Sequence, residues 1–363
     1  MGKEKIAVAL AVQAKVPVIL WGDPGTGKTS FIISLGEQLG IPVETVIASI
    51  REPSDFSGLP IIVNGEAKMA PPAWAKRLAE AGEGLLFLDE ISTAPPAVQA
   101  ALLRVVLDRV VGDLKLPDGI AVVAAANPPQ QAAYGWDLTP ALANRFCHID
   151  WKPNASEWVE DFVIDFKKEK ENIPLLPKDW KKGLAKTKNL IAAFIHARPQ
   201  LLHQLPKEES YAGRAWASRR SWEMTAYLMT ASDAAGADED VKIILTAGCI
   251  GEGTAIEFLA WVKDLDLPNP EDLLKNPASF KLPTRGDKAY AVLAGVAQAV
   301  VEKPTKERWL AAWEILGEAA KQGGRDIAAG AIRILITARQ KDFPLPTKQI
   351  QEFVTLLKTA GLI

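Results

Sequence analysis

Cysteine and histidine are scarce in this 363-residue chain: Cys147 and Cys249 lie far apart in sequence, and the histidines are only His148, His196 and His203. That leaves too little for a disulfide framework or a zinc site, and a reducing cytoplasm is the plain expectation. Charge imbalance is also missing. A formal net charge of −2 gives no broad electrostatic case for nucleic acid or an anionic membrane as partner. Long apolar runs are absent too. The N-terminal stretch MGKEKIAVALAVQAKVPVIL is basic and then apolar, but Gln13, Lys15 and Pro17 break it, so it reads as a first helix and a core strand, not as a secretory leader or a membrane span. No internal repeat or low-complexity tract stands out.

What is present is ordinary globular material, 48% hydrophobic and 24% charged, long enough for two or three domains. From Val16 to about Asp150, short apolar runs (VPVIL, VETVIAS, GLLFLDE, GIAVVAAAN, FCHIDW) alternate with helical stretches. That alternation predicts a parallel sheet with helices on both faces. Beyond Pro153 the pattern turns helical, and proline-rich breaks at 265–270 and 282–283 mark a further boundary. The expected division is an α/β domain over 1–152, an all-helical domain over 153–264 and a helical C-terminal region over 265–363.

Gly22 to Thr29 reads GDPGTGKT, which fits the G-x-x-x-x-G-K-[ST] loop, and it lies between an apolar run and a helical pattern. Gly22, Gly25 and Gly27 let the backbone turn successive N–H groups inward around anionic oxygens, and the helix that follows adds its positive end. Asp23, Pro24, Thr26 and Ser30 complete the candidate ATP-binding loop. Lys28 is placed to bridge β- and γ-phosphates, and the Thr29 hydroxyl to ligate Mg²⁺.

Two further strands deliver polar residues to their carboxyl ends, where open α/β sheets bind ligands. LLFLDE ends in Asp89, expected to hold magnesium through water, and Glu90, expected to polarise the attacking water. IAVVAAANPP delivers Asn127, whose amide could hold that water or the γ-phosphate; the plainer alternative is that Asn-Pro starts a turn. Arg145 falls between a helix end and the next strand. It cannot easily reach its own subunit's phosphates, so it reads as an arginine finger for a neighbour's, or else as half of a surface ion pair.

In this order GDPGTGKT, LLFLDE, ANPPQQAAYGWDLTPALANRF and WASRRSW resemble the AAA+ ATPases and, within them, the MoxR family, over roughly Lys5 to Tyr227. The resemblance implies a P-loop AAA+ core followed by an all-helical lid and a helical C-terminal region. It also implies Mg-dependent ATP hydrolysis by a ring, a hexamer, that remodels or matures another protein in a chaperone-like role. A partner with a von Willebrand A-type domain is part of that implication. Arg220, or else Arg219, which stands where the family usually has proline, would be the lid arginine that contacts the γ-phosphate. Asn144 stands where the family commonly has an acid. Two stretches resemble the hairpin inserts of this clade, which project toward the ring's pore: one near 53–73 around Asn64-Gly65, a dipeptide favoured in type I′ turns, and one at 109–119 around Gly112-Asp113. Phe56 and Met69 are the candidate substrate contacts there. The alternatives are a nucleic-acid motor, for which Arg109 and Lys115 on one hairpin are the support, and a nucleotide-gated binding module with little turnover.

Eleven tryptophans invite a ligand cage. Trp158, Trp222, Trp261, Trp309 and Trp313, however, sit at helical spacings among apolar residues, which predicts core packing. Lys167–Glu171, KKEKE, reads as a solvated helix face, and Cys147-His148 as strand packing.

Overall fold

The computed structural model describes residues 2–128, 136–152, 154–163 and 173–354. The stretch 129–135, inside the run that carries the MoxR resemblance, and the charged run 167–171 lie outside the described residues. In chain order the first elements are α1 (Lys3–Gln13), β1 (Val18–Trp21), α2 (Lys28–Leu39), β2 (Val43–Ile47), α3 (Ser54–Ser57), β3 (Leu59–Val63), β4 (Glu66–Ala70), α4 (Ala73–Ala81), β5 (Glu83–Asp89) and α5 (Pro96–Asp108). After them come β6 (Val110–Val111), β7 (Leu114–Lys115), β8 (Gly119–Ala126), α6 (Pro140–Ala143), β9 (Cys147–Asp150) and α7 (Ala155–Val163). The remainder is helical: α8 (Leu184–Ala197), α9 (Glu209–Ala212), α10 (Arg219–Ala234), α11 (Glu239–Ile250), α12 (Glu252–Asp264), α13 (Pro270–Lys275), α14 (Gly286–Glu302), α15 (Lys306–Lys321), α16 (Arg325–Thr337) and α17 (Thr347–Gln351).

The chain forms two compact units, Met1–Lys182 with Leu201–Glu257, and Gly183–Gln200 with Phe258–Ile363. The first holds a five-stranded parallel sheet in the order β2-β5-β8-β1-β9. Its central strands are buried without interruption, Leu85–Leu88 and Ile120–Ala126 among them, which is why they read as continuous apolar runs instead of alternating ones. Each strand end that carries a candidate residue comes to the same edge: Trp21 pairs with Ala126 and Leu88 with Ala124. The α/β P-loop fold with a following helical region is therefore the architecture of this chain.

Helices α10 and α11 belong to this first unit and pack on α1 and β9. The contact is close because residue 248 is glycine: a Cβ there would stand 2.4 Å from the His148 carbonyl oxygen and 2.8 Å from Cys147 Sγ. The same packing brings the two cysteines, remote in sequence, side by side as buried free thiols. The hydrogen bond with Cys249 and then burial push the Cys147 thiol well above its ordinary pKa, which makes Cys147 an inert core group.

Both hairpins form. Asn64 and Gly65 have φ of 53° and 83°, the pair of positive angles that a type I′ turn demands. The hairpins are also tied to each other: Asp113 N donates to Met69 O at 3.0 Å, Met69 N to Asp113 Oδ2 at 2.8 Å and Gly112 N to Phe56 O at 3.3 Å. Phe56 is not a substrate contact. It is 1% exposed and packs against Trp74, with ring centroids 6.3 Å apart. The apolar side chains that the first hairpin does expose are Leu59, Ile61 and Ile62.

The second unit packs α14, α15 and α16 around the fully buried Trp309 and Trp313. Trp222 and Trp261 are buried as well, as their spacing predicts, but Trp158 is 54% exposed and stacks on Phe162 at 4.7 Å. In α7 helical spacing therefore groups aromatic residues without burying them. Among the described residues no helix is long and apolar enough to cross a membrane.

Candidate nucleotide site

The phosphate loop lies between β1 and α2. Gly22 is required by close approach, since a Cβ there would sit 2.5 Å from the Trp151 carbonyl oxygen. Gly27, at φ 84°, makes the turn into α2. Lys28 is buried, and its ammonium donates to Gly22 O at 2.6 Å and Asp23 O at 2.9 Å, with Asn127 Oδ1 at 3.4 Å. Burial lowers its pKa, and Asp89 and Asp23 pull in the opposite direction. Thr29 Oγ1 donates to Asp89 Oδ2 at 2.9 Å. The two oxygens expected at magnesium are thus already adjacent, a hydroxyl and a carboxylate of the hard kind this ion prefers.

Glu90 stands one residue beyond Asp89 in a left-handed conformation, φ 54° and ψ 38°. For a non-glycine residue that conformation is a strained one, and it turns the side chain away from the strand direction. Its Oε2 accepts a 2.5 Å hydrogen bond from Ser49 Oγ. Ser49 follows β2, the strand that pairs with β5. Sequence reasoning missed this residue, because nothing at Ser49 marks it until the strand order is known. Ser92 was missed for the same reason. Its hydroxyl accepts from Asn127 N at 3.1 Å and its carbonyl from Trp136 N at 2.9 Å, so it pins the chain on both sides of residues 129–135. Lys28, Thr29, Asp89, Glu90 and Asn127 therefore converge at the carboxyl ends of β1, β5 and β8.

Residues 17–146 match a family model described as AAA domain, dynein-related subfamily. That stretch is thus similar to AAA domains. Similar proteins include the pathogenicity locus probable regulatory protein WtsA of Pantoea stewartii subsp. stewartii, 34% identical over 122 residues, which are 32% of this chain and 38% of that protein. Replication factor C subunit 3 of Saccharomyces cerevisiae is 29% identical over 150 residues, 41% of this chain and 39% of its own length. The chain thus spans about two-fifths of these relatives. Among solved structures, a full-length MCM homolog from Methanopyrus kandleri is 18% identical and covers 71% of this chain and 53% of its own, with a TM-score of 0.37. The matched stretch holds the phosphate loop, the acidic pair and Asn127, the residues that converge at the strand ends.

Arg145 and Arg220 occupy a different place in the first unit. Arg145 follows α6, and its Nη1 donates to Ala141 O. Burial lowers its pKa first and Arg220 second, while Asp108 opposes them. Asn144 and Ser218, hydrogen-bonded to each other at 2.6 Å, lie one and two residues from these arginines, and among the described residues neither guanidinium has a carboxylate within ion-pair distance. Arg145 Nε is buried and makes no hydrogen bond. Arg219 is exposed, whereas Arg220 is half-buried. The Arg145 turn is held from below by His148, whose Nδ1 accepts from Trp21 Nε1 at 2.9 Å and whose other ring nitrogen donates to Ala143 O at 2.9 Å. Burial pushes His148 down from its ordinary 6.5 to about 4, with Arg214 adding to the shift while the Ala143 carbonyl and Asp150 oppose it. Arg109 does not face outward as a nucleic-acid contact would. It bonds to the carbonyls of Asp118, Ile120 and Lys15 and braces the base of the second hairpin.

Proposed function

We propose that this chain is a magnesium-dependent ATPase subunit of a MoxR-type hexameric ring that uses hydrolysis to remodel or mature a partner protein. The observation that carries the reading is the hydrogen-bonded set Lys28, Thr29, Asp89 and Asn127, with Glu90 beside it, gathered at adjacent strand ends. Residues 22–30 wrap the phosphates, and Lys28 exchanges its loop carbonyls for β- and γ-phosphate oxygens. Thr29 and Asp89 hold the magnesium ion, which neutralises phosphate charge when bound. Glu90 polarises the attacking water and takes its proton on the carboxylate, which Ser49 engages at Oε2. Asn127 orients the water. Arg145 and Arg220 supply positive charge to the γ-phosphate of the neighbouring subunit's nucleotide, which fits two arginines that make no close ion pair in the described residues. The exposed Leu59, Ile61 and Ile62 on the first hairpin are the apolar contacts for a protein substrate, and a partner with a von Willebrand A-type domain fits the family resemblance.

The test separates binding from chemistry. Lys28→Ala should lose affinity for a fluorescent ATP analogue, whereas Glu90→Gln should bind it normally and release no phosphate. Normal phosphate release by purified Glu90→Gln protein would overturn the assignment of Glu90 as base.

A further inference from the structure

Between Arg145 and Arg220 lies a buried polar joint that none of the roles above uses. Asn144 is 5% exposed, Ser218 6% and Ser221 1%. Asn144 Nδ2 donates to Trp216 O at 2.9 Å, and its Oδ1 accepts from Ser218 Oγ at 2.6 Å. Ser218 is also the N-cap of α10, where it and Ser221 close a reciprocal capping box. One amide therefore fastens the turn that ends in Arg145 to the helix start that carries Arg220, two residues past the cap. Only a side chain with a donor and an acceptor on the same head makes both bonds. A carboxylate, the commoner group at this place in the resembling family, would present an oxygen to the Trp216 carbonyl and lose one of them.

We propose that Asn144, acting with Ser218, is a positioning residue that presets Arg145 and Arg220 as a two-pronged receptor for one anionic group. The proposal rests on the reading that these arginines serve a neighbouring subunit's nucleotide. The physical need is plain. Two like charges not locked in close ion pairs repel each other, with only Asp108 opposing that at Arg145, and an arrangement left to flexible side chains would be re-formed at every turnover. A joint made of buried hydrogen bonds holds its geometry with little exchange to water, and a displacement of about 1 Å in such a group costs about a hundredfold in rate.

The experiment compares Asn144→Ala, Asn144→Asp and Ser218→Ala with Ser218→Thr, which keeps the hydroxyl, in steady-state ATP hydrolysis and in ring assembly by size. The first three should lose about ten- to a hundredfold in kcat while KM for ATP changes little, and Ser218→Thr should stay near wild type. The defect should also be repaired in trans. Asn144→Ala subunits keep an intact phosphate loop, and Glu90→Gln subunits keep intact arginines, so a mixture of the two should regain up to about a quarter of wild-type activity in a head-to-tail ring. Arg145→Ala mixed with Glu90→Gln is the control. If the control recovers and the Asn144→Ala mixture does not, Asn144 supports its own subunit's site and the proposal fails while the reading of the arginines stands. If neither mixture recovers although subunits exchange, that reading falls and takes the proposal with it. Should Asn144→Ala not fold, Ser218→Ala decides: kcat equal to that of Ser218→Thr overturns the proposal.

Discussion

At the phosphate loop, Lys28, Asp89 and Glu90 each hold a hydrogen bond to a neighbour in the same site, whereas at the Arg145 turn two guanidiniums stand together with no carboxylate in ion-pair range. The first region is nearly complete on its own. The second is held by buried hydrogen bonds in its backbone turn but makes no close ion pair, the condition expected of a surface that meets an anion from elsewhere under the proposed function. The difference teaches that residues gathered in one chain need not all serve one site: a set that closes on itself and a set left open ask for different partners.

The sharpest way to break that contrast is Arg145→Ala, which should leave ATP binding intact and lower turnover about a thousandfold, about 4 kcal/mol of barrier; turnover within tenfold of wild type would make the Arg145 turn a structural corner only. The next test uses His148, which touches both regions through Trp21 and Ala143. Its folded pKa is depressed below the unfolded 6.5 to about 4, so the unfolded chain binds the proton first. Stability is full above pH 6.5 and falls as pH drops from 6.5 toward 4, by about 3 kcal/mol in total. Urea unfolding at pH 7 and at pH 4.5 should show a loss in wild type that His148→Asn lacks, and equal losses would show that His148 is not held neutral. Ser49→Ala should act on the phosphate side alone. Freed of a hydrogen bond to a charged group worth about 1.5–3 kcal/mol, Glu90 should raise basal hydrolysis several-fold; an unchanged or lower basal rate would make Ser49 a support for the productive pose. The smallest basal effect is expected from shortening the first hairpin at Asn64-Gly65. ATP turnover and assembly should be spared and stimulation by a partner protein reduced, and loss of basal turnover would assign the hairpin to the nucleotide site.

How much of this was legible in the sequence differs between the two regions for a physical reason. The phosphate site is made of short segments in which apolar run and polar terminus are contiguous, so GDPGTGKT, FLDE and AAAN announce both the strand and what it delivers. A parallel sheet then brings those ends to one edge whatever the intervening chain does. Ser49 and Ser92 escaped because their importance lies in strand order, not in local pattern. The joint at Asn144 escaped more completely, since its partners are 72 and 74 residues away; read locally, Asn144 was only a departure from an acidic position. Phe56 and Trp158 were misjudged in opposite directions, one buried and one exposed, because the aromatic character of a residue does not reveal what its element packs against.

The tie between the hairpins carries one more implication. Through Met69 and Asp113 a pull on either tip is felt by both, and the second hairpin runs directly into β8, which is hydrogen-bonded to β5 on one side and β1 on the other. A strand gripped from both flanks cannot slide like a piston without breaking two ladders at once. Force applied at the tips is therefore shared sideways, and arrives at the lysine, the acidic pair and the asparagine together as a tilt of their common floor.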